Sequence, residues 1–264
     1  MPIADLGDRS LHYERRGSGE PLLLIQGMGG HHRMWHEPLL ADIERDFDLV
    51  VYNHRGVGDS SRALPPYEIP DLADDAARLL SALDWADAHV FGTSMGGAVA
   101  QRIALRHPER VRSLVLGCTF AGPAGGTLVA PGLLRIAESR KTGDLRDLLR
   151  STYDTNFSPA AREDPALWEL FTDRMLSERV PAAVIVMQQL AAMKHNASAQ
   201  LDQLAAPTLV IHGTADEIVL PRHAEHLAST IPGARLELLD GVGHLFWWEA
   251  PALTAKLLRE HAGV

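Results

Sequence analysis

Short apolar, β-rich runs alternate along this chain with stretches of helical period, and that alternation constrains the fold more than any other feature. Residues 21–25, 49–52, 89–91, 111–116 and 207–211 read as strands buried on both faces. Between them, residues 71–83 place Leu72, Ala76, Leu79, Leu80 and Leu83 on one helical stripe, with Asp74, Asp75 and Arg78 largely off it and Asp71 as the N-cap. Residues 95–107 read as a helix stopped by Pro108, and its small residues Gly96, Gly97, Ala98 and Ala100 would let it lie close to a sheet. This order implies a mostly parallel sheet covered by helices, an α/β class. Ser10 to Arg15 alternates and runs into the turn Gly17-Ser18-Gly19, so the first strands are expected to pair as an antiparallel edge. Residues 236–239 supply a last strand.

The rhythm breaks after residue 116, and the next strand-like run begins only at 207, too far on for a plain crossover. The intervening pieces read as helices over 133–139, 145–153, 165–176 and 181–194, punctuated by Gly143, Pro159 and Pro181. The reading is therefore a core domain of residues 1–119 and 207–264, interrupted by a helical cap of residues 120–206. Trp168, Leu170, Phe171, Met175, Ile185, Met187 and Met193 either form the insertion's own small core or line an apolar cavity above the sheet's carboxyl edge. A chain of 264 residues suits one such domain, and 46% hydrophobic with 22% charged residues is a soluble globular balance. The net charge of −9, with Arg and Asp/Glu interspersed, argues against a nucleic-acid partner. No run approaches the ~20 apolar residues of a membrane span. Cys118 is the one cysteine and is expected to be a small buried residue; with no basic-then-apolar leader, a cytoplasmic location is expected.

The strand-like Ala88-His89-Val90-Phe91 runs into Gly92-Thr93-Ser94-Met95-Gly96, a Gly-x-Ser-x-Gly pattern between a strand and a helix. That describes a serine held on a tight turn with its hydroxyl exposed, its flanking glycines avoiding the adjacent strand and helix. A hydroxyl of ordinary acidity is a poor nucleophile, so the pattern calls for a histidine base and a carboxylate at later loop ends. Asp216 follows the strand at 207–211, with Glu217 and Asp240 as competing carboxylates, and His244 lies in the glycine-rich loop after the last strand. The candidate catalytic set is Ser94, Asp216 and His244, in that chain order. The backbone amides of Met95 and of Met28, in Gln26-Gly27-Met28-Gly29-Gly30, are the candidate oxyanion donors. That loop lacks the Gly-x-Gly-x-x-Gly order of a dinucleotide site. Gly27, Gly29, Trp35, Trp168 and Leu245 are the candidate substrate contacts. In His31-His32-Arg33-Met34-Trp35-His36 the adjacent histidines point different ways and no cysteine or carboxylate set accompanies them, so neither a metal nor another cofactor is expected. These residues are expected at a pocket wall or the surface, with Trp35 packing beneath the entrance.

Taken together, the motifs resemble those of the α/β-hydrolase fold family over essentially the whole chain. The likeness rests on Gln26-Gly27-Met28-Gly29-Gly30, Asn53-His54-Arg55-Gly56-Val57-Gly58-Asp59-Ser60, Gly92-Thr93-Ser94-Met95-Gly96-Gly97, His107-Pro108-Glu109-Arg110-Val111, His212-Gly213-Thr214-Ala215-Asp216 and Gly243-His244. Within the family the chain is most similar to small capped bacterial serine hydrolases: enol-lactone hydrolases, carboxylesterases and cofactor-free haloperoxidase-like esterases. The resemblance implies a mostly parallel eight-stranded sheet with a helical lid after the sixth strand, and cleavage of an ester or lactone through an acyl-enzyme. Two positions depart from the family pattern: Gln26 stands where His usually opens the oxyanion motif, and Asn53 where Asp usually precedes the Arg-Gly-x-Gly turn. Serine rather than aspartate at position 94 disfavours the haloalkane-dehalogenase and epoxide-hydrolase branches. The apolar makeup of the insertion points to a small, mainly apolar ester or lactone as the partner, with no membrane involved. A small-ligand receptor with slow hydrolysis, or a carbon–carbon bond hydrolase, would carry the same three residues.

Overall fold

Alternating burial along the central strands sets the layers of this protein, known here from a computed structural model that describes residues 2–62, 65–178 and 180–264. On the third strand Leu22 and Leu24 face one hydrophobic cluster while Leu23 and Ile25 face another, so helices must cover both sides of the sheet. The strands are β1 (Ile3–Asp5), β2 (Ser10–Arg16), β3 (Glu20–Ile25), β4 (Phe47–Tyr52), β5 (Ala88–Thr93), β6 (Val111–Gly117), β7 (Thr208–Gly213) and β8 (Arg235–Leu239). They form one eight-stranded sheet in the order β1-β2-β4-β3-β5-β6-β7-β8. The β1–β2 and β2–β4 pairs are antiparallel and every other pair is parallel.

The antiparallel edge differs from a simple hairpin of the second and third strands. Tyr13 of β2 pairs with Tyr52 of β4, and β4 separates β2 from β3. The turn explains it: Gly17 has φ +75 and packs against the carbonyls of Glu44 and Phe47, at the start of β4, where any side chain would collide. The Gly17-Ser18-Gly19 segment therefore carries the chain around β4 rather than folding it back on itself.

The helices are α1 (Glu37–Ile43), α2 (Ile69–Ala82), α3 (Met95–Arg106), α4 (Pro131–Ser139), α5 (Leu145–Asn156), α6 (Pro165–Ser177), α7 (Ala182–Lys194), α8 (Arg222–Thr230), α9 (Phe246–Glu249) and α10 (Pro251–Ala262). Leu72, Ala76, Leu79 and Leu80 of α2 join Val99 and Ile103 of α3 and the Leu23/Ile25 face of the sheet in one core. Leu39, Leu40 and Ile43 of α1 join Leu257 and Leu258 of α10 and the Leu22/Leu24 face in the other. Asp71 is not the N-cap: α2 opens two residues before it, and the Asp71 carboxylate accepts the Glu68 N–H at 2.7 Å from within the first turn. The four helices α4 to α7 all lie between β6 and β7, as an insertion at the carboxyl end of β6. Among the described residues no helix is long and apolar enough to cross a membrane.

Candidate active site

Ser94 sits between the end of β5 and the start of α3 with φ +53 and ψ −122, a conformation that costs an L-residue roughly 1–3 kcal/mol and persists only where the surroundings enforce it. Here they do. The Ser94 N–H donates to Gly117 O at 2.9 Å, and the Thr119 hydroxyl donates to Ser94 O at 2.6 Å. A Cβ on Gly92 would strike the backbone of Gly96, and one on Gly96 would strike the carbonyls of Ile25 and Gln26. The glycines thus allow strand, turn and helix to approach closely enough to hold the serine in its strained state, with the amide end of α3 directed at it.

Asp216 and His244 lie on the loops after β7 and β8 and meet directly: His244 Nδ1 donates to Asp216 Oδ2 at 2.6 Å. The other carboxylate oxygen accepts the Ile218 and Val219 amides at 2.7 and 2.9 Å. His212, at the end of β7 and wholly buried, places Nε2 3.1 Å from Asp216 Oδ2 and 2.8 Å from Val219 O. Burial by itself pushes the Asp216 acid upward, but the His244 charge and the hydrogen bonds from His212 and His244 outweigh it and hold the group ionised well below the usual carboxylate range. Donation through Nδ1 leaves His244 Nε2 with its lone pair. The competing carboxylates point elsewhere: Glu217 pairs with Arg135 and, at 3.4 Å, with Arg162, while the exposed Asp240 accepts from the Thr214 hydroxyl at 3.2 Å.

Ser94 and His244 open on one cavity of roughly 340 Å³, with no hydrogen bond between them among the described residues. The Ser94 side chain packs instead on Gly27, where an added Cβ would come within 3.0 Å of its own Cβ. Among the described residues neither the Met28 nor the Met95 amide has an acceptor. Gly27, Met28, Gly29 and Leu245 line the cavity, and Leu148, Phe171, Met175 and Ile185 of the insertion face it from above. A second depression of roughly 650 Å³, walled by charged residues such as Arg135, Asp147 and Arg150, contains neither Ser94 nor His244.

Trp35 and Trp168 are corrections, since neither lines the cavity. Trp35 is 2% exposed and packs on Phe91 and Trp247 with ring centres 5.3 and 5.5 Å apart, so the core takes it and Trp247 meets the cavity in its place. Trp168 turns away toward Tyr153, 5.1 Å off, and stacks beneath the Arg150 guanidinium. Cys118 is buried, and burial with the Asp216 charge pushes its thiol well up.

Proximity in space also adds residues that spacing could not supply. A carboxylate does accompany the histidine run: His12, His32 and Glu178 offer ligand atoms within 4.8 Å of one another. Asn53 occupies their centre. Its Oδ1 accepts His32 N–H at 2.7 Å and faces His32 Nδ1 at 3.1 Å, and its Nδ2 donates to Glu178 Oε1 at 3.1 Å. Asn53 thereby ties the end of α6 to the sheet. Gln26, 4% exposed, turns Oε1 to the Gly27 N–H at 3.3 Å. Glu249 Oε1 accepts both the Gly243 and Ser158 amides, at 3.0 and 2.9 Å, steadying the His244 loop from below.

The arrangement can pass a proton from an alcohol to an imidazole backed by a carboxylate, beside two free backbone amides. The sequence pattern of the alpha/beta hydrolase fold family matches residues 20–251. A protein of Azorhizobium caulinodans named "Putative carbamate hydrolase RutD" is 32% identical across all of this chain and 98% of its own length. A poly(3-hydroxyalkanoate) depolymerase of Ectopseudomonas oleovorans is 31% identical over 86% of this chain and 78% of its own. Among solved structures, the enol-lactonase of Burkholderia xenovorans LB400 is 25% identical, with each chain covered in full and a TM-score of 0.84.

Proposed function

This chain belongs to the alpha/beta hydrolase fold family, and on that footing we propose that it is a serine hydrolase cleaving a carboxylic ester or lactone of a small, mainly apolar substrate. The observation that carries the reading is the buried Asp216–His244 pair at 2.6 Å, whose free Nε2 opens on the same cavity as the strained Ser94. Ser94 Oγ attacks the carbonyl carbon while His244 Nε2 takes its proton, and Asp216 stabilises the imidazolium. The Met28 and Met95 amides hold the oxyanion, a single such donor being worth roughly 3–4 kcal/mol. Collapse breaks the bond to the leaving oxygen, which takes the proton back from His244. Water then repeats the sequence on the acyl-enzyme: His244 accepts its proton, the hydroxide oxygen joins the carbonyl carbon, and Ser94 leaves with the proton restored.

The four inserted helices act in this reading as a cap, residues 120–206, whose Leu148, Phe171, Met175 and Ile185 favour an apolar substrate. The depolymerase and the enol-lactonase are named for ester and lactone chemistry, and RutD for a carbamate, all of them acyl groups that this constellation could attack. A cytoplasmic location is part of this proposal, supported by a single cysteine that is buried and free. The test is turnover of a panel of 4-nitrophenyl esters and aliphatic lactones by wild type and Ser94→Ala, with fluorophosphonate labelling of both. Many turnovers by wild type, none by the variant, and labelling of the wild type alone are expected. Labelling of both alike removes Ser94 as nucleophile, and a single turnover per molecule turns the reading to a receptor.

A further inference from the structure

The core holds the candidate oxyanion loop at its first residue, where the His54 ring donates through Nε2 to Gln26 O at 3.1 Å, and gives the rest of the loop no short hydrogen bond among the described residues. Within it, Gly30 N–H donates to Gly27 O at 3.2 Å and Gly27 N–H to Gln26 Oε1 at 3.3 Å, both long. Its short bond comes from the cap: Gly29 N–H donates to Gln188 Oε1 at 2.8 Å. Gln188 lies on α7, is fully buried, and sits one turn from Ile185, whose side chain lies 3.8 Å from where a Gly29 Cβ would stand. Burying an amide among apolar neighbours is costly unless it is paired, and this bond is the pairing of its oxygen.

The bond falls where it has leverage. The Gly29 N–H and the Met28 carbonyl belong to one rigid peptide plane, which meets the plane carrying the Met28 N–H at the Met28 Cα, so holding the first restricts the swing of the second. Gly29 itself has φ +70, a conformation open to many alternatives once the plane is released. The loop that carries His244 is gripped by the same part of the chain: Leu245 N–H donates to Asn156 O at 3.1 Å, and Glu249 joins Ser158 to Gly243. Both loops of the candidate site thus donate hydrogen bonds to the insertion.

We propose that Gln188 is a positioning residue that holds the Met28 amide in place for the oxyanion, so that the active site is complete only while α7 is docked on the core. The inference rests on the reading of Ser94 as nucleophile and Met28 as donor. Its test compares wild type, Gln188→Met and Ser94→Ala for kcat and KM on 4-nitrophenyl butyrate and for inhibition by an alkyl trifluoromethyl ketone, which mimics the tetrahedral intermediate. Gln188→Met keeps the volume of the side chain and removes the acceptor. Expected are a ten- to hundredfold loss of kcat with KM within threefold, and a matching rise in the inhibition constant of the ketone. A residue that merely fastens the cap would raise KM or lower Tm and leave the ketone-to-substrate affinity ratio untouched, which overturns the proposal. If Ser94→Ala is inactive while Gln188→Met keeps kcat within twofold of wild type, this inference alone fails; turnover by Ser94→Ala removes the reading beneath it as well. Should Gln188→Met not fold, Gln188→Asn, which draws the acceptor back by one methylene, carries the same measurements with the same expected losses.

Discussion

Replacing Asp216 by asparagine changes two protons and no shape, which makes it the sharpest probe of the proposed proton relay. The new amide has two orientations. With its oxygen toward the Ile218 and Val219 amides, at the 2.7 and 2.9 Å positions now held by Oδ1, both donors stay paired. With the amide turned over, two buried N–H groups face an NH₂, at about 1–3 kcal/mol for each donor left unmade. The first orientation therefore wins, and it sets an NH₂ donor in the place of Oδ2, 2.6 Å from His244 Nδ1. Two donors cannot share that gap, so His244 moves its proton to Nε2 and presents Nδ1 as acceptor. Nε2 then faces the cavity with a proton already on it and cannot take another from Ser94. His212 does not relieve the conflict, because its Nε2 is also a donor and keeps its bond to Val219 O at 2.8 Å.

The same tautomer error costs about 10⁴ in kcat in a serine protease, so a loss of about 10³–10⁴, or about 4–5 kcal/mol of barrier, is expected here. Because substrate binding does not use the proton, KM stays within threefold. Steady-state kinetics on 4-nitrophenyl butyrate at pH 7.5, normalised to folded protein by circular dichroism, measure both. An asparagine variant keeping more than a tenth of wild-type kcat refutes the argument, since Asp216 would then not set the His244 tautomer.

Three further outcomes follow from the same structure. Gly96→Ala drives a methyl into the Ile25 and Gln26 carbonyls, and a loss of about 3 kcal/mol, the upper end for overpacking, is read as a lower urea midpoint, an unchanged midpoint refuting the close contact. Arg55→Met strips the buried Asp75 of its 2.6 Å partner and leaves, among the described residues, Arg9 at 3.5 Å, so urea unfolding should show a loss of about 3 kcal/mol, and a change under 1 kcal/mol would sink that account. Burial, with Arg102 adding to it, lowers the His195 imidazole to about 3 from an ordinary 6.5. Between those values the unfolded chain binds a proton that the folded chain does not, so stability contributed by the neutral ring is present above pH 6.5 and lost as the pH falls. Between pH 8 and pH 5 this amounts to about 2 kcal/mol, and His195→Leu should lose that much less over the same interval than wild type.

What the sequence made legible is what short stretches of chain decide for themselves. The parallel strands showed as apolar runs because both of their faces are buried, and β3 through β7 lie where those runs stood. The Ser94 turn was legible because Gly92 is dictated by Gly96 and Ala100, atoms within one strand–turn–helix unit. Partnership between distant segments was not. The alternation in β2 indicated the antiparallel edge that β1 and β2 form, but that β2 also pairs with β4 depends on where Gly17 meets Glu44 and Phe47. Aromatic side chains carry no address either: Trp35 has the composition of a cavity wall, yet Phe91 and Trp247 claim it for the core.

The polar residues of the insertion show why the site itself was only half legible. On α7 Gln188 and Gln189 are adjacent and chemically identical, but their side chains diverge by about 100° around the helix axis. Gln188 is fully buried against Gly29, whereas Gln189 is exposed and lines the cavity. Neither apolar periodicity nor a motif separates them, because the distinction lies in how α7 is rolled on the core. Glu178 repeats the point: nothing in the sequence at the end of α6 marks it, and the Asn53 amide and the His32 ring, far away in the chain, make it a joint between insertion and sheet. The residues that do chemistry on a substrate are marked by types that chemistry cannot replace, while those that hold them in place can be any group with an acceptor at the right point. A catalytic serine is therefore readable in one dimension, and its supports become visible only in three.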